Sequence, residues 1–346
     1  MRKISEVFVN GVCLEKILED HQKWLDRKDD GEKANLNGAD LIDADLRDVN
    51  LISADLRDAC LSGANLSGAN LFGANLGFAD LNNADLRDAD LSSVNLKNAN
   101  LRNADLNSAN LGFANLINTD LRNADLRCTD LKNADLSKAN LSGADLSDAN
   151  LKFADLSDID LSYANLRFAN LIDTYLIGAN LKDADLSSAD LRGANLNYVD
   201  LKSANLNNAD LRGADLSDAD LRFANLNKVS YNHQTSFFAM QCPEKGSFIG
   251  YKKADNKIVE LLITEDSKRS SATTRKCRCS KAKVLSITNI GNTEEFSEVV
   301  SDYDEDFIYK VGEIVEVKDF DDDRWNECST GIHFFITRDE AIIYKN

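Results

Sequence analysis

Leucine recurs at every fifth position from Leu36 to Leu226 without any change of register. A small residue, usually Ala, stands two positions before each Leu, and the residue between them is Asn or Asp except at Cys60 and Tyr175. On an α-helix, five residues turn the chain by roughly 500°, so the leucines would point to all sides. On a flat strand they would alternate between the two faces. A chain that turns a corner every five residues keeps all of them inside, so the pattern predicts a solenoid.

The chain before the repeats predicts an amphipathic helix over residues 13–26. Its apolar positions fall on one helical face, and they are Leu14, Ile17, Leu18, His21 and Leu25. An open solenoid end would expose leucines and unpaired backbone groups, so we expect this helix to cap the first coil. His21 could be a ligand or a pH switch, but we expect it to be part of the packing face of that cap.

The chain after Leu226 has a different composition, because Glu returns and aromatic and β-branched residues become common. It predicts strands over 248–252, 257–264, 281–289, 307–310, 313–317 and 333–336. Thr337 is expected to cap a final helix, with Glu340 three residues on. The sequence therefore predicts three domains: a cap over 1–33, the repeats over 34–230 and an α+β domain over 231–346.

The chain is acidic, with 58 Asp and Glu against 40 Lys and Arg among 346 residues and a net charge of -18. Such a balance argues against direct binding to nucleic acid, which requires clustered basic groups. It favours a basic partner, or a protein that normally holds DNA. We expect a cytoplasmic protein that does not contact a membrane, because there is no signal-like start and no apolar run of about 18 residues. Seven scattered cysteines fit reduced thiols.

Units such as Ala64-Asn65-Leu66-Ser67-Gly68 resemble the pentapeptide-repeat family in its leucine-only form, over residues 34–230. The resemblance implies a right-handed quadrilateral β-helix with four pentapeptides per coil. With the cap helix and the α+β domain, the expected fold is mainly β. The C-terminal segment resembles an uncharacterised domain found after pentapeptide repeats in bacterial and phage proteins. That resemblance lies in Cys242-Pro243-Glu244, Arg269-Ser270-Ser271-Ala272, Arg275-Lys276-Cys277, Trp325-Asn326-Glu327-Cys328 and Gly331-Ile332-His333-Phe334-Phe335.

Three candidate sites lie in the C-terminal segment. A basic stretch over residues 268–283 could bind an anion or serve as a surface loop or a latch on the acidic rod, and its candidates are Arg269, Arg275, Lys276 and Arg278. A zinc site is a weaker hypothesis, because C-x-C replaces the usual C-x2-C, and its candidates are Cys242, Cys277, Cys279 and Cys328. Cys328 and His333 could form a nucleophilic pair with a carboxylate such as Asp319. We expect no cofactor.

Aromatic residues occupy outward positions of the repeats, where they could form a docking patch or only pack on the sheet surface. The interaction candidates are Phe113, Phe153, Tyr163, Phe168 and Tyr175. A coil of four pentapeptides would place Phe113 and Phe153 on one face.

The sequence is compatible with three functions. The first is a non-enzymatic scaffold whose acidic rod binds an unknown protein partner. The sequence is also compatible with a homo-oligomer. The second is a DNA mimic that acts on a type II topoisomerase, a role known for some family members. An uninterrupted repeat array and an added C-terminal domain count against it. The third is a ligand-binding or enzymatic C-terminal domain.

Overall fold

A computed structural model describes residues 1–238, 240–326 and 329–344 of the chain. The fold is mainly β, with few helices. It divides into two compact units. Unit 1 comprises residues 1–216 and 223–235, and unit 2 comprises residues 217–222 and 236–346. No helix among the described residues is long and apolar enough to cross a membrane.

The repeats form stacked coils of four pentapeptides each. Parallel bridges join outward residues that lie four pentapeptides apart, as in the series Asn35, Asp55 and Asn75. Backbone hydrogen bonds run between coils, and the Leu36 N–H donates to the Asp55 carbonyl at 2.6 Å. The repeat leucines up to Leu221 are almost fully buried, as are nearly all of the small residues. Each coil therefore stacks four inward leucines on those of its neighbours, and the polar residues between them face outward.

Each pentapeptide ends in a tight corner. The Ala39 N–H donates to the Leu36 carbonyl at 3.1 Å and closes the first corner. The residue before the small position has a positive φ, which is 63° at Gly38 and 52° at Asp43. The outward Asn or Asp then supports the next corner, since the Asp40 Oδ1 accepts the Ile42 N–H at 3.2 Å. Short amides and carboxylates recur here because they hydrogen-bond the turning backbone.

The N-terminal segment begins with a 3-10 turn at Ile4–Glu6 and the hairpin of β1 (Phe8–Val9) and β2 (Val12–Cys13). Helix α1 follows at Leu14–Leu25, which confirms the predicted helix. The sequence did not predict that Arg2 extends the backbone ladder. Its N–H donates to the Asp43 carbonyl at 2.7 Å, and its carbonyl accepts the Asp45 N–H at 2.8 Å. The first coil therefore has part of its backbone edge paired.

Unit 2 contains nine strands among its described residues. They are β3 (Phe248–Ala254), β4 (Lys257–Ile263), β5 (Arg269–Ser271), β6 (Cys277–Cys279), β7 (Lys281–Asn289), β8 (Glu298–Val300), β9 (Ile308–Lys310), β10 (Ile314–Glu316) and β11 (Ile332–Phe334). An antiparallel sheet has the order β10-β7-β4-β3, a three-stranded sheet has the order β11-β6-β5, and β8 pairs with β9. The core lies against the first sheet and includes Val259, Leu261, Val284 and Phe334.

Helix α2 at Arg338–Ile343 begins as the sequence predicted. The Thr337 hydroxyl accepts the Glu340 N–H, and the Glu340 carboxylate accepts the Thr337 N–H at 3.1 Å. All six predicted strands of unit 2 overlap observed ones, but β5, β6 and β8 were not predicted. Strands β5 and β6 lie in the basic stretch over residues 268–283, whose many polar and charged residues do not show the alternation of a strand.

Candidate functional site

A column of four aspartates runs up one ladder of the repeats. Parallel bridges join Asp85 to Asp105, Asp105 to Asp125, and Asp125 to Asp145. Neighbouring strands lie about 4.8 Å apart, so the carboxylates repeat at that spacing. Like charges directly opposite each other on a sheet are destabilising. We call these four residues the aspartate column.

Arginines reduce the repulsion within the aspartate column without cancelling it. The Arg87 guanidinium is 2.6 Å from the Asp85 carboxylate and 3.5 Å from that of Asp105. Arg127 pairs in the same way with Asp125. The hydrogen bonds from these guanidinium groups hold the pKa of Asp85 and of Asp125 below the ordinary range. Both carboxylates are therefore ionised at neutral pH, and four acids face two arginines.

Another ladder of the same coils avoids such stacking. There aspartate and asparagine alternate, in the order Asp80, Asn100, Asp120, Asn140, Asp160, Asn180 and Asp200. The amides bridge the carboxylates, as in the bond of 2.7 Å from Asn100 Nδ2 to Asp80 Oδ1. The fold therefore accepts Asn at these outward positions, and packing alone does not require four aspartates in succession. The column was not predicted, although it is visible in the sequence when every fourth pentapeptide is compared.

The candidate aromatics are exposed, by 67% at Phe113, 65% at Tyr163 and 42% at Phe153. These three and Phe168 lie at corners with φ between 58° and 63°. A bulky residue rarely adopts this left-handed backbone, which Gly or Asn enters at less cost. Tyr175 lies instead on a ladder, between Asp155 and Asn195.

The five aromatics do not form one flat surface. Phe113 and Phe153 lie eight pentapeptides apart, so they share a corner column two coils apart, as predicted. Tyr175 is near them, because it bridges Asp155. Tyr163 and Phe168 occupy other corners of the stack. Neighbouring cations cover part of two rings, at 4.7 Å from Lys152 Nζ to the Phe153 ring centre and 5.6 Å from the Arg167 guanidinium to Phe168.

The four basic candidates of the C-terminal segment are separated in the structure. Arg269 donates to backbone carbonyls, including that of Gly246 at 2.8 Å. Arg278 is 1% exposed and donates to the carbonyls of Asp321, Thr330 and Asp323. Both guanidinium groups therefore bind the protein's own backbone.

The other two basic candidates lie near α2. Arg275 pairs with the Glu340 carboxylate at 2.6 Å. The Lys276 ammonium lies 3.5 Å from the Tyr344 hydroxyl and 5.6 Å from the centre of its ring. The four candidates therefore do not form a single anion-binding loop. Of the four, Lys276 lines a cavity where an anion could bind.

The cysteine candidates are buried. Cys242, Cys277 and Cys279 lie in the core of unit 2, and burial raises the pKa of Cys279 to about 12. Within residues 1–238, 240–326 and 329–344, no three His, Cys, Asp or Glu side chains are grouped to hold a metal. Cys328 lies outside the described residues, so the predicted pair of Cys328 with His333 stays a prediction.

Comparison with protein families gives two matches. The profile described as pentapeptide repeats matches residues 32–68, 69–107, 104–143, 124–162, 159–197 and 194–230. A family of unknown function, DUF5758, matches residues 238–341. None of the curated proteins matches the chain.

Solved structures of pentapeptide-repeat proteins are similar to this chain. HetL from the cyanobacterium Nostoc sp. strain PCC 7120 is 36% identical, covers 60% of this chain and 92% of its own, and gives a TM-score of 0.53. Rfr23 from the cyanobacterium Cyanothece 51142 is 39% identical over 29% of this chain and 64% of its own, with a TM-score of 0.20. QnrB1, a plasmid-mediated fluoroquinolone resistance protein, is 22% identical over 50% of this chain and 86% of its own, with a TM-score of 0.31. Of these three structures, HetL has the highest TM-score.

Proposed function

Because the chain belongs to the pentapeptide-repeat family, we propose that its repeats form a right-handed quadrilateral β-helix that serves as a non-enzymatic, acidic scaffold for a protein partner. The coils of four pentapeptides, each with four corners, support this architecture. We further propose that residues 1–33 cap the helix, that residues 34–230 carry the binding surface, and that residues 231–346 are a separate α+β domain. HetL, which is described as involved in heterocyst differentiation regulation, is compatible with a regulatory rather than catalytic role.

The aspartate column is the observation that carries this proposal. Asp85, Asp105, Asp125 and Asp145 repel one another, and the alternating ladder of the same coils does without such repulsion. Each column aspartate supports its corner, as Asp105 does by accepting the Asn107 N–H, but Asn100 supports its corner in the same way. Four successive charges therefore cost stability without a structural need, which is typical of a binding surface. A row of carboxylates at strand spacing complements a basic protein surface, because complementary charge increases both association rate and specificity.

A capture experiment tests the scaffold. The full chain is immobilised and exposed to bacterial cytosol, and we expect it to retain a basic protein that rising salt releases. The double variant Asp105→Asn/Asp145→Asn should retain less of it. The matched control, Asp80→Asn/Asp160→Asn, removes the same charge from the alternating ladder and should retain as much as the parent. Equal capture by both variants would contradict a role for the column.

A DNA mimic acting on a type II topoisomerase is the second candidate, and the same column favours it because its regular negative charges resemble a row of phosphates. A gyrase supercoiling assay separates the two proposals. A DNA mimic should change supercoiling in a dose-dependent way, and Asp105→Asn/Asp145→Asn should weaken the effect. A scaffold for another basic protein should leave gyrase unaffected.

A further inference from the structure

Lys252 occupies an inward position on the edge strand β3. Burial alternates along this strand, so Lys252 faces the same side as Gly250 and Ala254. Ala254 is fully buried in the core. At Gly250, an added Cβ would lie 2.5 Å from the Phe334 ring, which shows how closely this face is packed. Lys252 is only 8% exposed, although its neighbours along this face are Gly and Ala.

The Lys252 ammonium has no hydrogen bond or ion pair with the residues that the structure describes. The ring centre of Tyr303 lies 5.9 Å from its Nζ. Burial lowers the pKa of Lys252, Asp302 acts in the opposite direction, and the nearby charge of Lys276 lowers it further. A buried cation beside a second cation is costly unless an anion compensates it.

Lys252 and Lys276 line the same cavity, which has a volume of about 730 Å³. This volume is within the range of about 300–1,000 Å³ that is usual for small-molecule sites. Aromatic side chains line it, among them Tyr303, Phe307 and Tyr309. The remaining charged lining is mixed, and it consists of Lys253, Lys318, Asp304, Glu316 and Asp319, with His333 also present.

The acidic residues of the lining do not neutralise the two lysines on β3. Neither Lys252 nor Lys253 forms an ion pair with a carboxylate of the described chain, and Lys253 Nζ instead lies 3.5 Å from the Tyr344 carbonyl. Lys276 lies beside the Tyr344 hydroxyl. Tyr344 therefore contacts two of the lysines at the cavity. The Lys252 ammonium faces the Tyr303 ring and feels the Asp302 charge, without an ion pair to a carboxylate of the described residues.

We propose that this cavity binds a small organic anion with a planar, apolar body, whose carboxylate or phosphate group is held by Lys252 and Lys276. The body of the ligand packs against Tyr303, Phe307 and Tyr309. Aromatic rings in the wall provide flat apolar surface for such a body. The site lies wholly within unit 2 and is independent of the aspartate column.

Fluorescence titration of the full chain with 8-anilinonaphthalene-1-sulfonate, an aromatic anion, tests the proposal. We expect one molecule of this probe to bind per chain, and we expect a non-fluorescent organic anion to displace it. Displacement by 1-naphthoate would identify a carboxylate site, and displacement by adenosine monophosphate a phosphate site. The uncharged 1-naphthalenemethanol should compete poorly, because it lacks the anion.

Lys252→Met keeps an unbranched side chain of nearly the same length but removes its charge, and we expect it to weaken binding by at least about tenfold. Lys283→Met is the matched control, because Lys283 is an exposed residue of β7 that does not line the cavity, and it should bind like the parent. If Lys252→Met fails to fold, the same titration is made with Lys276→Met, which should also bind the probe more weakly than the parent. Unchanged binding by the folded lysine variant, equal competition by the uncharged alcohol, or no binding by any of the three anions would overturn the proposal.

Discussion

The imidazole Nδ1 of His21 accepts a hydrogen bond from the backbone N–H of Ala34 at 3.1 Å. Ala34 is the first small residue of the repeats, and His21 is fully buried on α1, where its ring stacks on Trp24. The bond therefore joins the N-terminal helix directly to the first coil. The sequence predicted the packing position of His21 but not this bond, because a helical pattern does not indicate which backbone group a histidine will meet.

This bond makes the stability of the N-terminal segment depend on pH. Nδ1 can accept only while it is unprotonated, and burial lowers the pKa of His21 from its ordinary value of 6.5. The unfolded chain therefore binds a proton near pH 6.5 that the folded chain resists. Stability from this group is complete above about pH 6.5 and falls as the pH drops below it, by at most about 1.4 kcal/mol per pH unit.

Urea unfolding of the parent and of His21→Asn at pH 8 and pH 5 measures this effect. Asn keeps an acceptor near the Ala34 N–H but does not titrate, so the variant should lose less stability on acidification than the parent. The same loss in both proteins would mean that other groups are responsible.

Substitution inside a coil should have a far larger effect than substitution one residue further on. Leu136 is fully buried, and Leu136→Lys would place a charge among leucines, so we expect a loss of more than about 4 kcal/mol or insoluble protein. Ser137 faces outward, and Ser137→Lys should change stability by less than about 0.5 kcal/mol. Thermal unfolding followed by circular dichroism compares the two. Similar damage from both would show that the inward and outward positions are wrongly assigned.

Removing an exposed aromatic from a corner should not destabilise the protein. Phe153 has a φ of 63°, and the left-handed conformation costs a non-Gly residue about 1–2 kcal/mol. Phe153→Gly should therefore leave stability unchanged or raise it by up to about 1 kcal/mol. Leu156→Ala, three residues away and buried, should lose about 2–5 kcal/mol. If Phe153→Gly unfolds as easily as Leu156→Ala, the ring has a structural role and is not available as a contact.

Arg278 should contribute strongly to the stability of unit 2, although the sequence suggested an anion-binding role. Its guanidinium serves three backbone carbonyls and lies 5.2 Å from the centre of the Phe320 ring. A lysine has one compact ammonium and cannot span these acceptors, so Arg278→Lys should cost about 2–4 kcal/mol. Arg275→Lys, at a half-exposed pair with Glu340, should cost less than about 1 kcal/mol. Chemical denaturation of the two variants measures these losses of stability. Equal losses from Arg278→Lys and Arg275→Lys would contradict the structural role of Arg278.

The repeats could be predicted in detail because one period fixes the whole segment. Every Leu predicted to face inward up to Leu221 is buried, since corner, ladder and side-chain direction all follow from the same pentapeptide. Helix α1 was also predictable, because its apolar spacing extends over three turns. The pairing of Arg2 with the first coil could not be predicted, because a single bridge produces no periodic pattern in the sequence.

The candidate sites were less predictable, because a site depends on residues that only the fold brings together. The basic stretch is a cluster in the sequence, yet β5 and β6 direct Arg269 and Arg278 to different carbonyls. Lys252 was not predicted as a site residue, because a single lysine in a strand of alternating polarity gives no sign that it points inward. The aspartate column needed only a coil length of four pentapeptides, which the family resemblance had already implied.

Removing residues 1–30 should cause the protein to associate end to end. The deletion takes away α1 and the Arg2 backbone groups that pair with Asp43 and Asp45. It uncovers the first coil, whose four leucines are buried in the intact chain, and these are Leu36, Leu41, Leu46 and Leu51. Apolar side chains beside an open strand edge form a template for another copy, and in a stack of coils nothing else covers them.

Multi-angle light scattering on the full and truncated chains at increasing concentration measures this association. The truncated chain should grow in mass at concentrations where the full chain keeps its size. Leu14→Asp should produce a weaker form of the same behaviour, because Leu14 is fully buried and a carboxylate there would loosen α1. Glu15→Ala, an exposed change one residue further along the same helix, should behave as the parent. A truncated chain that keeps the mass and solubility of the full chain would show that α1 does not protect this end, and α1 would then be a candidate surface for a partner.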